Sequence, residues 1–325
     1  MTETRTTCPY CGVGCGVVAR VEGGVVSVRG DETHPANFGR LCVKGSALGE
    51  TTDLQGRLLH PVLDGHEVDW TQALEAAGER LQHIIDTWGP QAVAFYASGQ
   101  LLTEDYYAAN KLMKGFIGAA NIDTNSRLCM SSAVVGYKRA FGEDVVPCSY
   151  EDVENSDLVV LVGSNAAWTH PVLYQRLVQA KQTNPQMKVV VIDPRETVTC
   201  DIADLHLALK PGSDAGLFVG LLNMIQGTDA WPMARVAAFC DLPVQDIGVF
   251  YDWFVTAPRA ITLYTMGINQ SSSGSDKCNA IINVHLASGK FNRPGCGPFS
   301  LTGQPNAMGG REVGGLANQL AAHMN

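Results

Sequence analysis

The chain has 325 residues, of which 46% are hydrophobic and 17% charged, and its formal net charge is −9. This length exceeds one typical domain, and the composition is that of a globular protein with enough apolar residues for two or three compact units. The negative charge argues against nucleic-acid binding, because no excess of Lys and Arg is present to neutralise phosphates.

Targeting signals are missing from the printed sequence. No run of 18 apolar residues occurs, so no membrane partner is expected. The N-terminus, MTETRTTCPY, has neither an apolar signal region nor a twin-arginine signal, which favours a cytoplasmic location. Ten cysteines in a chain of this length do not form the dense pattern of a disulfide scaffold.

Four cysteines form the first motif. Cys8, Cys11 and Cys15 are spaced C-x2-C-x3-C, and Cys42 follows much later. Thiolates suit either zinc or an iron–sulfur cluster, and zinc sites usually use two separate C-x2-C pairs. Three sulfurs close together with a fourth from afar are typical of a cubane, so we predict a [4Fe–4S] cluster, with a zinc knuckle or buried free thiols as alternatives. Lys44 is then either a surface lysine or a charge between the cluster and its electron-exchange partner.

Local patterns predict the elements that follow the cysteines. Residues 16–30 alternate around Gly23-Gly24 and predict a β-hairpin. Asp69, three residues before Gln72, predicts the N-terminal cap of a helix that runs to about Trp88. Gly89-Pro90 should end that helix.

A βα rhythm occupies the rest of the chain and predicts an α/β fold with a parallel sheet covered on both faces. Strands are predicted at residues 93–97, 158–162, 189–192 and 260–265. Helices are predicted near residues 104–116, from about 171, near 215–225 and near 276–287.

Polar loops follow these strands. Ligands of parallel sheets bind at the carboxyl ends of the strands, where all of these loops fall. None of them is a G-x-G-x-x-G or a G-x4-G-K-[ST] sequence, so neither NAD nor ATP has specific support. Small residues, amides and carboxylates recur instead and favour a large cofactor that carries nucleotides. The loops are Gly163-Ser164-Asn165, Asp193-Pro194-Arg195, Gly212-Ser213-Asp214 and the stretch from Met266 to Gln270.

A fifth cysteine, Cys129, stands near the start of an apparent helix, beside Arg127. A cysteine in an apolar setting is most often a core thiol. At a helix N-terminus beside a guanidinium, however, its thiolate would be stabilised by the helix dipole and by charge.

Together, the cysteine motif, the loops and Cys129 resemble the N-terminal part of the molybdopterin oxidoreductases that bind bis(molybdopterin guanine dinucleotide). Within that family, the resemblance is strongest to the catalytic subunits of assimilatory nitrate reductases, followed by periplasmic ones. It implies that Cys8, Cys11, Cys15 and Cys42 bind the cluster, that Cys129 binds molybdenum, and that Lys44 lies between cluster and pterin. The implied cofactor-binding residues are Gln100, Asn125, Gly163, Ser164, Asn165, His170, Asp193, Pro194, Arg195, Gly212, Ser213, Asp214, Met266, Gly267, Gln270 and Gln304.

The resemblance also implies an activity, the two-electron reduction of nitrate to nitrite by oxygen-atom transfer, with electrons entering at the cluster. Arg311 is the implied residue that attracts and orients the anion. The implied electron donor is a ferredoxin, a flavodoxin or an NADH-linked reductase subunit.

Two alternatives belong to the same fold. Formate dehydrogenases of the family carry a histidine directly after the metal-binding cysteine, where Met130 stands here, and an arginine where Thr302 stands. A non-catalytic iron–sulfur electron-transfer subunit should have lost the metal thiolate and the cofactor loops, both of which are present here.

The resemblance implies three parts of the chain. Residues 1–57 form a cluster domain, residues 58–139 the first part of a discontinuous α/β domain with the molybdenum-ligand cysteine, and residues 140–325 a Rossmann-like cofactor-binding domain with the start of the substrate funnel. Members of the family are much longer, so we expect this chain to be an N-terminal part, which by itself would be inactive.

Overall fold

The computed structural model describes residues 2–316 and divides into two compact units. Within that range, unit 1 comprises the part up to Asn125 and the part from Gln304 onward, and unit 2 comprises Ser126–Gly303. Unit 2 is therefore one continuous stretch of chain inserted into the sequence of unit 1. The three-part division with boundaries at residues 57 and 139 stays a prediction.

Unit 1 begins with a small antiparallel sheet of three strands in the order β1-β2-β3. These strands are β1 (Thr2–Thr7), β2 (Gly16–Glu22) and β3 (Val25–Gly30). Gly23 and Gly24, both with positive φ, make the turn between β2 and β3, so the predicted hairpin is confirmed. β1 was not predicted, because all six of its residues are exposed and its sequence TETRTT has no apolar alternation.

The next elements of unit 1 lead to a long helix. They are α1 (Val43–Ser46), a 3₁₀ turn at Leu48–Thr52, β4 (Val62–Leu63), β5 (His66–Glu67) and α2 (Trp70–Trp88). Asp69 accepts the backbone N–H of Gln72, whose side chain accepts the N–H of Asp69, and this reciprocal pair starts α2 as predicted. Gly89, with φ of 81°, ends it.

A second βα segment completes this part of unit 1. It contains β6 (Phe95–Ala97), α3 (Thr103–Asn110), a π-helical stretch at Lys111–Ile117 and β7 (Ile122–Thr124). β6 and β7 pair in parallel. The strand predicted at 93–97 is shorter than expected. The helix predicted at 104–116 changes from α to π geometry midway. The helix propensities of the residues do not predict this change, because it depends on packing.

Unit 2 has the βα rhythm that the sequence predicts. Its elements are α4 (Ser126–Phe141), α5 (Tyr150–Asn155), β8 (Leu158–Val162), α6 (Ala166–Thr169), α7 (Pro171–Thr183), β9 (Lys188–Ile192), β10 (Leu205–Leu207), α8 (Asp214–Gln226), α9 (Met233–Cys240), α10 (Val244–Thr256), β11 (Ala260–Tyr264), α11 (Met266–Asn269), α12 (Gly274–Ala287) and β12 (Gly297–Ser300).

The sheet of unit 2 has five parallel strands in the order β10-β9-β8-β11-β12. Alternate residues of β8 serve two cores: Val160 and Val162 pack with α8, α10 and α12, whereas Val159 and Leu161 pack with α7. A parallel sheet buried on both faces confirms the predicted α/β class. β10 and β12 were not predicted, since one has only three residues and the other reads Gly-Pro-Phe-Ser, a sequence tolerated at a sheet edge.

After unit 2 the chain returns to unit 1 and forms α13 (Ala307–Glu312). Lys114, in the π-helical stretch, donates to the carbonyls of Gly314 and Leu316 at 2.6 and 2.8 Å. Asn110 donates to the carbonyl of Val313 at 3.0 Å. These bonds hold the segment after α13 against α3. Within residues 2–316, none of the helices is both long and apolar enough to cross a membrane.

Candidate functional site

The four predicted cluster cysteines gather at one end of the small sheet in unit 1. Cys8 donates its backbone N–H to the carbonyl of Cys15 at 2.8 Å, which closes the first loop of the motif. Cys8 and Cys15 are buried, and Cys11 and Cys42 are half-buried. All four are free thiols, as a metal-binding role requires.

The thiols influence one another electrostatically. Burial, with a smaller contribution from the neighbouring Cys11, Cys8 and Cys42, raises the pKa of Cys15 to about 12. Burial likewise raises the pKa of Cys8, with Cys11 and Cys42 adding to the rise. Cys8 and Cys15 thus resist ionisation in the free protein, and a cationic iron–sulfur core would deprotonate them on binding.

Lys44 lies close to these cysteines. It is an exposed residue of α1, its Nζ is 5.9 Å from the ring centroid of Tyr10, and its charge lowers the pKa of Cys8. The structure therefore places one cation near Cys8, and the predicted position of Lys44 between the cluster and the pterin stays a prediction.

The loop that carries Gln100 packs against the cysteine loop. A Cβ on Gly12 would lie 2.3 Å from the carbonyl oxygen of Leu101 and 2.4 Å from Cβ of Asn306, so only glycine permits this approach. Asn306 also receives support from this loop, because its backbone N–H donates to the carbonyl of Gly99 at 3.1 Å and its side chain to that of Leu101 at 2.9 Å. Gln100 itself is exposed.

Asn125 supports this loop directly. Its Oδ1 accepts the backbone N–H of Gly99 at 3.0 Å, so one half of its amide is already used within the protein. Gln304 is half-buried at the start of the returning segment, and Arg311, on α13, is 6% exposed. The predicted role of Arg311 in binding the anion stays a prediction.

In unit 2, the loops after β8 and β11 meet backbone to backbone. β8 and β11 are adjacent in the sheet. β9 and β10 lie on one side of β8, and β11 and β12 lie on the other, so the strand order switches sides between β8 and β11. Gly267 donates its N–H to the carbonyl of Gly163 at 3.1 Å, and Thr265 donates its hydroxyl to the same oxygen at 2.6 Å. Such a switch point opens a crevice at the carboxyl ends of the strands, where ligands of α/β proteins bind.

Internal hydrogen bonds shape the loops after β8 and β9. Asn165 accepts the hydroxyl of Thr199 at 2.9 Å. Asp193 accepts the backbone N–H of Arg195 at 2.9 Å, which forms a tight turn and leaves Pro194 and Arg195 exposed. The buried hydroxyl of Ser164 has no hydrogen-bond partner among residues 2–316.

The loop before α8 brings a carboxylate to the same edge of the sheet. Gly212 has φ of 91°, and a Cβ there would meet no atom within 4 Å. Glycine is therefore favoured at this position by the backbone conformation and not by crowding. Ser213 donates its hydroxyl to the carbonyl of Lys210 at 2.7 Å. Asp214 is buried as the first residue of α8.

His170 joins the loops after β8 and β12. Its Nε2 lies 2.5 Å from the carbonyl oxygen of Thr302, and its Nδ1 lies 2.8 Å from the hydroxyl of Thr169. Burial lowers the pKa of His170, so the neutral ring carries its proton on Nε2, the nitrogen that faces the carbonyl. His170 is thus held in one tautomer by the loop that ends at Gly303.

Cys129 lies at the same end of unit 2. The backbone N–H of Gly303 donates to its Sγ at 3.2 Å, and the thioether sulfur of Met266 also lies 3.2 Å from it. Met130, the next residue, is buried, and Gln270 donates to the carbonyl of Leu128 at 3.4 Å. Two polar contacts from distant parts of the chain therefore meet at this sulfur, and its predicted role as a metal ligand stays a prediction.

Comparison with known proteins identifies the family. The model of the molybdopterin oxidoreductase Fe4S4 domain matches residues 1–53, and the molybdopterin oxidoreductase model matches residues 57–324. The chain belongs to the molybdopterin oxidoreductase family. The match indicates a [4Fe–4S] cluster and a molybdopterin cofactor, as predicted.

Relatives within this family carry the name nitrate reductase. The protein from Klebsiella oxytoca is 76% identical over the whole chain, which covers 40% of that protein. The one from Shewanella frigidimarina is 47% identical over the whole chain and 38% of its own length. A periplasmic nitrate reductase from Desulfovibrio desulfuricans is 38% identical, over 97% of this chain and 47% of its own. The chain thus spans about two fifths to half of these relatives.

One solved structure has a similar fold. Acetylene hydratase from Pelobacter acetylenicus superposes with a TM-score of 0.72 at 21% identity, covering 88% of this chain and 43% of its own. This likeness concerns the fold alone.

Features within each unit fit the molybdopterin oxidoreductase cofactors. Unit 1 supplies four thiols for the cluster, and unit 2 supplies a thiol, a glycine-lined crevice and the unpartnered Ser164 hydroxyl. Sequence patterns missed the N–H of Gly303, because a backbone donor has no residue signature. They also missed Lys277, a buried lysine bonded to Asp214, although a lysine inside the apolar run of α12 was a visible signal.

Proposed function

We propose that this chain is part of an assimilatory nitrate reductase, which reduces nitrate to nitrite with electrons that enter at the [4Fe–4S] cluster. In that reaction nitrate takes up two electrons and two protons and yields nitrite and water. The observation that carries the proposal is the surroundings of Cys129, a buried thiol held by Gly303 and Met266 at the carboxyl edge of the parallel sheet. The names of the relatives support nitrate as the substrate.

The residues of unit 1 would bind the cluster and steer electrons. Cys8, Cys11, Cys15 and Cys42 would ligate iron as thiolates. Lys44 would then stand beside the cluster as a fixed positive charge, which stabilises the added electron during transfer. Its exposure and its position next to Tyr10 leave the ammonium able to face a bound group.

The residues of unit 2 would bind the molybdenum cofactor. Cys129 would be the protein's ligand to the metal, with the N–H of Gly303 orienting its sulfur. The loops at Ser164, Asp193, Asp214 and Gln270 would hold the guanine dinucleotide portions through backbone N–H groups and polar side chains. When bound, the cofactor supplies the two-electron chemistry that oxygen-atom transfer requires.

Arg311 would bind the substrate. Its planar guanidinium presents a fork of donors that matches the planar oxygens of nitrate. Burial strengthens such a charge-assisted contact, because little water competes with the anion.

Nitrate is favoured over formate by the residue after the metal ligand. Met130 is buried and apolar, so it offers neither a general base nor a donor where formate dehydrogenases carry histidine. The resemblance of the motifs to assimilatory enzymes is the reason to propose an assimilatory, cytoplasmic enzyme over a periplasmic one. The donor would be a ferredoxin, a flavodoxin or an NADH-linked reductase subunit.

The test uses the full-length protein that contains this chain, produced anaerobically in a host that makes the molybdenum cofactor. Oxidation of reduced viologen is measured with nitrate and, separately, formate-dependent reduction of viologen, together with iron and molybdenum per chain. We expect nitrate turnover that Cys129→Ala abolishes while iron stays near four per chain. Cys200→Ala, at a thiol outside the proposed site, should leave the turnover unchanged. Turnover of formate, or iron without molybdenum and no turnover, would overturn the proposal.

A further inference from the structure

A buried ion pair joins two helices at the proposed cofactor edge of unit 2. Nζ of Lys277, on α12, donates to Oδ2 of Asp214 at 2.6 Å. The two side chains retain 3% and 10% of their exposure, respectively. Asp214 begins α8 directly after the loop of Gly212 and Ser213, and α12 begins just after Gln270. The pair therefore ties together two of the loops proposed to hold guanine dinucleotides.

Stability alone gives little reason for such a pair. Removing two charges from water costs several kcal/mol per ion, and apolar residues of similar volume often serve a fold equally well. The surroundings of α12 are apolar: Cys278, Ile281 and Ile282 beside Lys277 are fully buried. A methionine or leucine could fill this space but could not bind the Asp214 carboxylate. We therefore look for a role of Lys277 in orienting that carboxylate.

The carboxylate of Asp214 keeps one acceptor unused. Oδ2 is bonded to Lys277, whereas Oδ1 accepts no hydrogen bond from residues 2–316. The bond from Lys277 fixes the position of the carboxylate at the start of α8. In the loop before it, a Cβ on Gly212 would meet no atom within 4 Å. A carboxylate oxygen held in place and left without a donor from the described residues suits a base edge that presents N–H donors, as guanine does with its ring N–H and exocyclic amine.

We propose that Lys277 is a positioning residue for nucleotide recognition: it fixes the orientation of the Asp214 carboxylate, so that the second carboxylate oxygen accepts from guanine and disfavours adenine, which lacks this pair of donors. The inference rests on the proposed function, in which Asp214 contacts the dinucleotide. Lys277 itself touches Asp214 and acts through it.

Two kinds of variant separate this role from a purely structural one. Lys277→Met keeps the length of the side chain and removes its charge. The exchange of partners, Asp214→Lys combined with Lys277→Asp, keeps a buried ion pair between α8 and α12 but moves the carboxylate to the other helix. Lys290→Met is the matched control, since Lys290 is also a buried lysine and donates to the carbonyl of Val255 at 3.2 Å, away from the loops.

Affinity for guanosine diphosphate and adenosine diphosphate is measured by calorimetry on cofactor-free protein, with thermal unfolding recorded for each variant. Wild type should bind guanosine diphosphate at least tenfold more tightly than adenosine diphosphate. Lys277→Met and the exchanged pair should lose that preference, and Lys290→Met should keep it. If the exchanged pair unfolds at the wild-type temperature yet keeps the guanine preference, the ion pair is structural and the inference is wrong.

The molybdenum and GMP content of protein from the cofactor-producing host distinguishes failure of the proposed function from failure of the proposed role of Lys277. Wild-type protein without molybdenum and GMP would overturn the proposed function. Wild-type and Lys277→Met proteins with equal molybdenum and GMP content, and with equal preference for guanosine diphosphate, would overturn the role of Lys277 alone.

Discussion

Gly163 and Gly267 leave no room for a side chain between the loops that follow β8 and β11. A Cβ on Gly163 would lie 2.7 Å from Cα of Gly267, and a Cβ on Gly267 would lie 2.6 Å from Cα of Gly163. Both contacts are with backbone, which cannot rotate away. We expect Gly267→Ala to destabilise unit 2 by about 1–3 kcal/mol through overpacking, and Gly163→Ala by more, because its φ of 55° adds strain.

Gly227 is the control for the effect of a positive φ alone, because a side chain there would not be crowded. It ends α8 with φ of 67°, and a Cβ there would meet no atom within 4 Å. Gly227→Ala should cost only about 1 kcal/mol. Urea unfolding of the three variants measures the series, and equal losses in Gly267→Ala and Gly227→Ala would contradict the crowding argument.

This pair of glycines also shows what the sequence could reveal. The strand–loop–helix pattern around Gly163 predicted the strand, the loop and the edge of the sheet, because apolar runs and cap residues are local signals. The contact with Gly267 could not be predicted, because it depends on the order of the strands in the sheet. That order places β8 between β9 and β11. β10 and β12 were not predicted for a related reason. A short strand has little sequence signal of its own and forms by pairing with its neighbours in the sheet.

The candidate site divides in the same way. Cys129 was predicted as the metal ligand from its place in a motif, and that role stays a prediction. The partners of its sulfur, Gly303 and Met266, are separated from it by more than a hundred residues and came only from the structure. Lys277 likewise gained meaning only once Asp214 was found beside it.

Tyr137 anchors the helix of Cys129 to the edge strand β12. Its buried hydroxyl donates to the carbonyl of Pro298 at 3.0 Å and accepts the N–H of Ser300 at 2.8 Å. Tyr137→Phe would bury that N–H without a partner, so we expect a loss of about 1–3 kcal/mol in the free energy of unfolding. Tyr96→Phe, at an exposed tyrosine, should change it by less than about 0.5 kcal/mol. Chemical denaturation compares them, and equal stabilities would show that the hydroxyl contributes nothing.

His285 should make unit 2 sensitive to acid. Its ring contacts the carbonyl of Lys290 and the hydroxyl of Thr262, and complete burial lowers its pKa from 6.5 to about 4. The unfolded chain therefore binds a proton that the folded chain rejects between these values. Stability is full above pH 6.5 and falls as the pH drops towards 4, by about 3 kcal/mol in all.

The measurement is the pH dependence of the urea midpoint from pH 7 to pH 4. His285→Asn should flatten the slope in this window, whatever its effect on stability at neutral pH. His83→Asn, at an exposed histidine, should retain the wild-type slope. A steep slope that survives in His285→Asn would assign the acid sensitivity to other groups.

Lys44 should affect the rate of electron delivery more than the binding of iron. Lys44→Met removes the cation beside the cysteines, and we expect viologen-driven nitrate turnover to fall roughly tenfold, equivalent to about 1.4 kcal/mol in the barrier. Iron per chain should not change, and Lys44→Arg should restore most of the rate. Lys111→Met is a matched control, because Lys111 also lies 5.9 Å from a tyrosine ring, that of Tyr107. Equal rates in Lys44→Met and wild type would contradict the role.

The hydrogen bond from Gly303 to Cys129 spans 174 positions of the sequence. Closing a loop of that length costs ~4–5 kcal/mol in chain entropy, so we expect this contact to form after the five strands between its ends have assembled. The surroundings of the thiol proposed to hold molybdenum would then be completed late in folding. During biosynthesis the metal should meet a finished sheet, and a chaperone that delivers the cofactor would have to recognise the folded protein instead of the nascent chain.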